Sequence, residues 1–238
     1  MKYRYKKNSY SDIFQLAKVM YKDTSFFAKE LKEEKLLSFI SSLDKHKASE
    51  IEKISKLILP DDVLVFKATY ILNPFISFRF ANKEFKDYKE LGLAMLISSP
   101  QIDNSLSQIV SYSLLSEHML STNYNEENQE EYERIVEYQK EGMNDLSYGY
   151  FLIAYYLSKK ENIIFDHVEY PDLFSFVYYL YHSKYDKEEL GQLLSHSAML
   201  KAYSKFGKEK HKVDEFLHLN SELDKSEQDL KEFIKNFK

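Results

Sequence analysis

Two periodicities alternate along this chain. Short stretches place aromatic and polar residues in turn, as in Tyr3-Arg4-Tyr5 and Phe78-Arg79-Phe80, the period of two that suits a short strand with one buried face. Longer stretches return an apolar residue every three to four positions, as in SQIVSYSLLSEHML, EEYERIVEYQK and LSYGYFLIAYYL, which is the spacing of amphipathic helices. After the second aromatic stretch, Asn82-Lys83 is placed to turn the chain so that Phe85 comes back toward the same core. Asp12 with Gln15, and Asp87 with Glu90, then have the spacing of a capping box, in which side chains satisfy the free amides at a helix start. In a third stretch Pro171 precedes Asp172 and Ser175 takes the last position, which weakens the box.

These patterns recur because the sequence itself recurs. YRYKKNSYSDIFQLAKVM from Tyr3 aligns with FRFANKEFKDYKELGLAM from Phe78, and FDHVEYPDLFSFVYYL from Phe165 aligns with the second copy from Phe80. An offset of 75 residues pairs Tyr3 with Phe78, Arg4 with Arg79, Asp12 with Asp87, Leu16 with Leu91 and Met20 with Met95. An offset of 85 carries Phe80 to Phe165, Glu84 to Glu169, Phe85 to Tyr170, Asp87 to Asp172 and Leu91 to Phe176. Downstream, LSQIVSYS from Leu106 meets LGQLLSHS from Leu190, IEKISKL from Ile51 resembles YERIVEY from Tyr132, and Phe66, Tyr70 and Leu72 return as Phe151, Tyr155 and Leu157. The offset grows at STNYNEENQEE and QKEGMNDL, polar stretches in which extra loop residues cost little.

Self-similarity at such a long period predicts stacked units that cannot bury their apolar faces alone. The expected fold is mainly α, with three tandem units at residues 1–74, 75–160 and 161–238. Each is expected to be a short β-hairpin or strand followed by about four amphipathic helices, stacked as a short solenoid. VDEFLHL from Val213 and DLKEFIKNF from Asp229 make the third unit a divergent C-terminal cap, as terminal repeats often are.

Composition narrows the chemistry. Five Gly and four Pro in 238 residues leave Gly92, Gly142, Gly149, Gly191 and Gly207 far from any GxGxxG or P-loop pattern. The absence of cysteine removes disulfides, thiolate nucleophiles and Cys-containing zinc sites, and agrees with a reducing cytoplasm. No run of some 18 apolar residues is present, so no membrane partner is expected. The net charge of −5 offers no bulk field for nucleic acid, leaving KYRYKK at Lys2 and KFGKEKHK at Lys205 as local basic patches that read best as solvated surface.

No constellation assembles into a catalytic site. His118, His167 and His196 lack partners at metal-ligand spacing, and the pairs His182–His196 and His211–His218 are not one helical turn apart. Asp61-Asp62, Asp186 with Glu188-Glu189, and the cluster Glu126, Glu127, Glu130, Glu131 and Glu133 show no sign of separated acid and base roles. Asp12, Asp87 and Asp172 are explained as caps in every copy, and no GxSxG elbow occurs. The 20 Tyr and 17 Phe point first to packing between units and second to a Tyr-rich partner surface.

The expected function is therefore a non-enzymatic protein–protein interaction module, an adaptor or regulator with a protein partner, no cofactor, no metal and no catalytic residue. Its alternative is an inhibitory or regulatory region acting on an enzyme or a nucleic-acid machine, suggested by the amphipathic SEQDLKEFIKNFK at the end of the chain. A motif-free enzyme ranks third. Self-association through end units also fits the pattern.

Overall fold

In the computed structural model, residues 2–98, 104–165, 167–182, 197–206 and 209–222 are described. The chain is mainly helical, and its described residues include three separate two-stranded antiparallel hairpins. The first pairs β1 (Tyr3–Tyr5) with β2 (Asn8–Tyr10), the second β3 (Arg79–Phe80) with β4 (Lys83–Glu84), and the third β5 (Ile163–Phe165) with β6 (Val168–Tyr170). In each hairpin the chain reverses through left-handed backbone. Ala81 and Asn82 both have positive φ, 48° and 64°, as a two-residue primed turn requires. The turn is thus Ala81-Asn82 rather than Asn82-Lys83, because Lys83 already pairs with Phe80.

Helices follow each hairpin. After the first come α1 (Ile13–Met20), α2 (Thr24–Lys32), α3 (Lys35–Ser41), α4 (Lys45–Ser55) and α5 (Asp61–Leu72). After the second come α6 (Tyr88–Ile97), α7 (Asn104–Ser111), α8 (Leu114–Ser121), the single turn α9 (Tyr124–Glu127), α10 (Gln129–Asn144) and α11 (Leu146–Ser158). The described residues beyond the third hairpin form α12 (Leu173–His182), α13 (Ala198–Phe206) and α14 (Lys210–Glu222). Among the described residues the first two hairpins are therefore followed by five and six helices rather than about four. Short helices such as α3 and α9 carry too few turns to show a clear apolar stripe in sequence.

The expected caps form, with differences in detail. Asp87 accepts from the Glu90 amide at 2.8 Å and Asp172 from the Ser175 amide at 2.7 Å, whereas Asp12 reaches the Phe14 amide at 2.9 Å, one residue earlier. Glu90 closes its side of the box on the Lys86 amide at 2.6 Å, one residue before the cap itself. Pro171 does not prevent the third cap.

Two apolar cores meet along α5. Leu64, Val65, Ala68 and Leu72 belong to the first, with Tyr3, Tyr5, Leu16, Phe27 and Phe39. Val63, Phe66 and Tyr70 belong to the second, which runs on through α6, α8 and α11 to Phe216. A helix with apolar residues all round is one buried on both sides. A tight crossing in the second core is α6 on α11, where a Cβ added to Gly92 would lie 2.5 Å from the Ser158 nitrogen and 2.9 Å from the Ala154 carbonyl. Nearby, the buried Tyr150 hydroxyl sits 2.8 Å from the Met95 carbonyl and 2.9 Å from that of Ser98, satisfying the end of α6. Among the described residues no helix is long and apolar enough to cross a membrane.

Candidate functional site

Three features could carry function: a contact made by the second hairpin, a buried polar node, and an exposed aromatic edge. The first begins with strand alternation. Phe78 and Phe80 point into the second core, so Arg79 between them faces the opposite way. It meets the last turn of α1, where Nη1 donates to the Lys18 carbonyl at 2.7 Å and the guanidinium lies 5.0 Å from the centre of the Tyr21 ring. A cation is favoured at that helix end, and the ring face adds a further attraction. Glu84, across the hairpin, pairs with Arg79 and accepts from the Ser77 hydroxyl at 2.8 Å and the Tyr21 hydroxyl at 3.3 Å. The Ser77 hydrogen bond, followed by Arg79, holds the Glu84 carboxyl below its ordinary value against the opposing effect of burial.

The buried node centres on His118 in α8, which is 5% exposed. Its Nδ1 lies 2.7 Å from the Tyr88 hydroxyl and its Nε2 3.3 Å from the Ile76 carbonyl. Since a carbonyl can only accept, Nε2 carries the proton and Nδ1 accepts from Tyr88. The rings of Tyr70, Phe78 and Tyr88 all meet the imidazole edge to face. Burial pushes the His118 pKa down to about 4, only partly opposed by the Ile76 carbonyl, so the ring is neutral at pH 7. Burial raises the Tyr88 and Tyr70 phenols well above their ordinary value as well. The node joins α5, α6, α8 and the chain leading into β3, and it is satisfied internally.

The exposed edge lies at the start of α1. Phe14 is 42% exposed and Phe75, in the connection from α5 to β3, is 84% exposed. Asn73 ties them together, its amide nitrogen reaching the Phe14 carbonyl at 3.4 Å and its amide oxygen accepting from the Phe75 nitrogen at 3.2 Å. Lys47 of α4 places its ammonium 4.9 Å from the centre of the Phe14 ring and also donates to the Leu72 carbonyl at 2.8 Å. Between α3 and α4 a polar groove of about 390 Å³ is lined by Ser38, Ser41, Ser49, Lys45, Glu34 and Glu52 together with Leu37 and Ala48.

The residues singled out in sequence go elsewhere. Asp12, Asp87 and Asp172 cap helices. Asp61 pairs with Lys32 at 2.9 Å, Glu126 and Glu127 open α9, and Glu130 and Glu131 open α10. His167 is a turn residue with φ 61°. Asp186, Glu188, Glu189 and His196 lie outside the described residues, among which no three His, Asp or Glu side chains gather to hold a metal ion. Sequence reading missed the node around His118, because its partners arrive from positions 70, 76, 78 and 88. The pairing of Arg4 with Arg79 was visible, but the contact that Arg79 makes was not. No protein-family model, curated protein or solved structure matches the chain.

Proposed function

We propose that the chain is a non-enzymatic protein-interaction module, an adaptor or regulator built from three tandem units that stack as a short solenoid. The units are residues 1–74, 75–160 and 161–238, and the absence of cysteine suits work in the reducing cytoplasm. The observation that carries this reading is that contacts, and not only residue types, recur at the sequence offsets. Tyr3 pairs with Tyr10, the Phe85 amide donates to the Phe78 carbonyl at 2.9 Å, and Ile163 pairs with Tyr170. The first helices start at Ile13, Tyr88 and Leu173, offset by the same 75 and 85 residues. Ser77 donates to Glu84, and Asn162, 85 positions on, donates to Glu169 at 2.6 Å.

A buried tyrosine recurs as well. The hydroxyl of Tyr70 accepts from the Arg79 amide at 2.7 Å. Tyr155, 85 positions on, is buried at the corresponding place, and burial raises its phenol well above the ordinary value. Helices α1 to α5 correspond in order to α6, α7, α8, α10 and α11, with α9 filling the longer connection between α8 and α10.

Exposed positions diverge while these contacts persist. Phe14 is replaced by Lys89 and Phe75 by Lys160, so the same aromatic pair does not recur where the second unit meets the third. Two exposed aromatic rings beside a lysine form the kind of anchor a protein partner uses. The test is affinity capture from the native cell with the wild-type chain and with the double variant Phe14→Ser, Phe75→Ser. The reading predicts a defined protein retained by the first and lost by the second. Identical recovery by both would reject the edge as the contact surface.

A further inference from the structure

The aromatic edge beside α1 is held by a device that the chain uses twice. The buried Asn73 side chain accepts from the Phe75 amide at 3.2 Å, and 85 positions on the Ser158 hydroxyl accepts from the Lys160 amide at 3.3 Å. At the second place the junction satisfies itself, since the Lys160 ammonium pairs with Glu169 at 3.0 Å. At the first it does not. Phe14 and Phe75 stand in solvent, and Lys47 beside Phe14 meets no carboxylate among the described residues.

Lys47 is fixed in place. Its ammonium lies 4.9 Å from the centre of the Phe14 ring and donates to the Leu72 carbonyl at 2.8 Å. Leu72 is the last residue of α5, so the charge sits where a helix end favours a cation. One of its three N–H donors is engaged there, which leaves two for a ligand. Lys18, one helical turn beyond Phe14, is exposed on the same side of α1 and likewise meets no carboxylate among the described residues. The carboxylates closest in sequence are turned to helix starts, Asp12 accepting from the Phe14 amide and Asp44 from the Lys47 amide. Glu50, one turn on from Lys47, lies 3.8 Å from His46. Two exposed rings thus stand beside a positioned positive charge.

We propose that this edge binds an acidic segment of a partner protein, one whose apolar side chains pack on the Phe14 and Phe75 rings while an adjacent Asp or Glu carboxylate takes the Lys47 ammonium. The inference deepens the interaction-module reading and rests on it. The chemistry of the partner follows from what stands open. Exposed ring surface gains by burial against apolar groups, and an ammonium already held in position loses little side-chain freedom when it pairs. A basic segment would set like charges beside Lys18 and Lys47, which repels that class of partner.

Amide chemical shifts of the isotope-labelled full chain test this with blocked peptides. The probe is acetyl-Gly-Glu-Leu-Glu-Phe-Gly-amide, and its controls carry Lys in place of Glu, or Ser in place of Leu and Phe. The probe should move the Phe14, Lys47 and Phe75 amides saturably, with each control weaker by about tenfold or more. Lys47→Gln, which keeps a donor for the Leu72 carbonyl, should weaken the probe to the level of the Lys control. Phe75→Ser, at a position 84% exposed, should weaken it with the fold intact. No movement up to about 5 mM probe, equal binding of the Lys control, or undiminished binding by Lys47→Gln would overturn the proposal. Stronger binding of an oligothymidylate would overturn it in favour of nucleic acid, and shifts that follow protein concentration alone would do so in favour of a second copy. The interaction-module reading is scored separately by affinity capture. A partner lost by Phe14→Ser, Phe75→Ser but kept by Lys47→Gln removes only the acidic requirement.

Discussion

Acid should weaken this fold through one histidine. His118 has a folded pKa near 4 against an ordinary value of 6.5, so the unfolded chain binds its proton more readily than the folded one does. The stability that neutral His118 preserves is complete above pH 6.5, falls as pH drops from 6.5 toward 4, and is fully lost below the folded value. At about 1.4 kcal/mol for each unit of difference, the whole loss is about 3 kcal/mol, of which about 2 kcal/mol falls between pH 7 and pH 5. The assay is urea unfolding followed by circular dichroism at both pH values, for the wild type and for His118→Gln. Carboxylates titrate alike in both proteins, so the difference between their two pH dependences isolates the imidazole. The variant should be less stable at pH 7, because Tyr88 and the Ile76 carbonyl lose their partner, yet flatter with pH. Equal pH dependence in the two proteins would refute a buried neutral ring.

Other perturbations report on other parts of the fold. Gly92→Ala drives a methyl group into the backbone of α11 and should cost about 2 kcal/mol or more in unfolding free energy, whereas Ala in place of the half-exposed Leu93 should cost much less. Asp87→Ala and Asp172→Ala each remove a cap bond and should cost about 1 kcal/mol, while Asp87→Asn should recover most of the loss. Tyr70→Phe leaves the Arg79 amide without its acceptor, and should destabilise by about 1 to 3 kcal/mol and speed hydrogen exchange at that amide.

Much of the fold was legible because local rules and the repeat agreed. Alternation in Tyr3-Arg4-Tyr5 marks a strand, and the offsets of 75 and 85 carry that reading to hairpins whose own signals are weaker. The capping aspartates were found for the same reason, since a cap depends on residues within one turn. The turn was misplaced by one residue because a lysine and an asparagine both tolerate turns, while only the pairing of Phe80 with Lys83 fixes the register. The His118 node and the docking of Arg79 were hidden for a different reason. Their partners are 30 to 61 residues away, and no periodicity announces a contact between elements.

Experimental coordinates for the full chain provide the most direct measurement of whether three copies of one unit make up the fold. The account predicts that the backbone of residues 3–20 superimposes on that of 78–95 and of 163–180, with Tyr3 opposite Tyr10, Phe78 opposite Phe85 and Ile163 opposite Tyr170. A hairpin in a different register, or a first helix leaving its hairpin in a different direction in any copy, would contradict it.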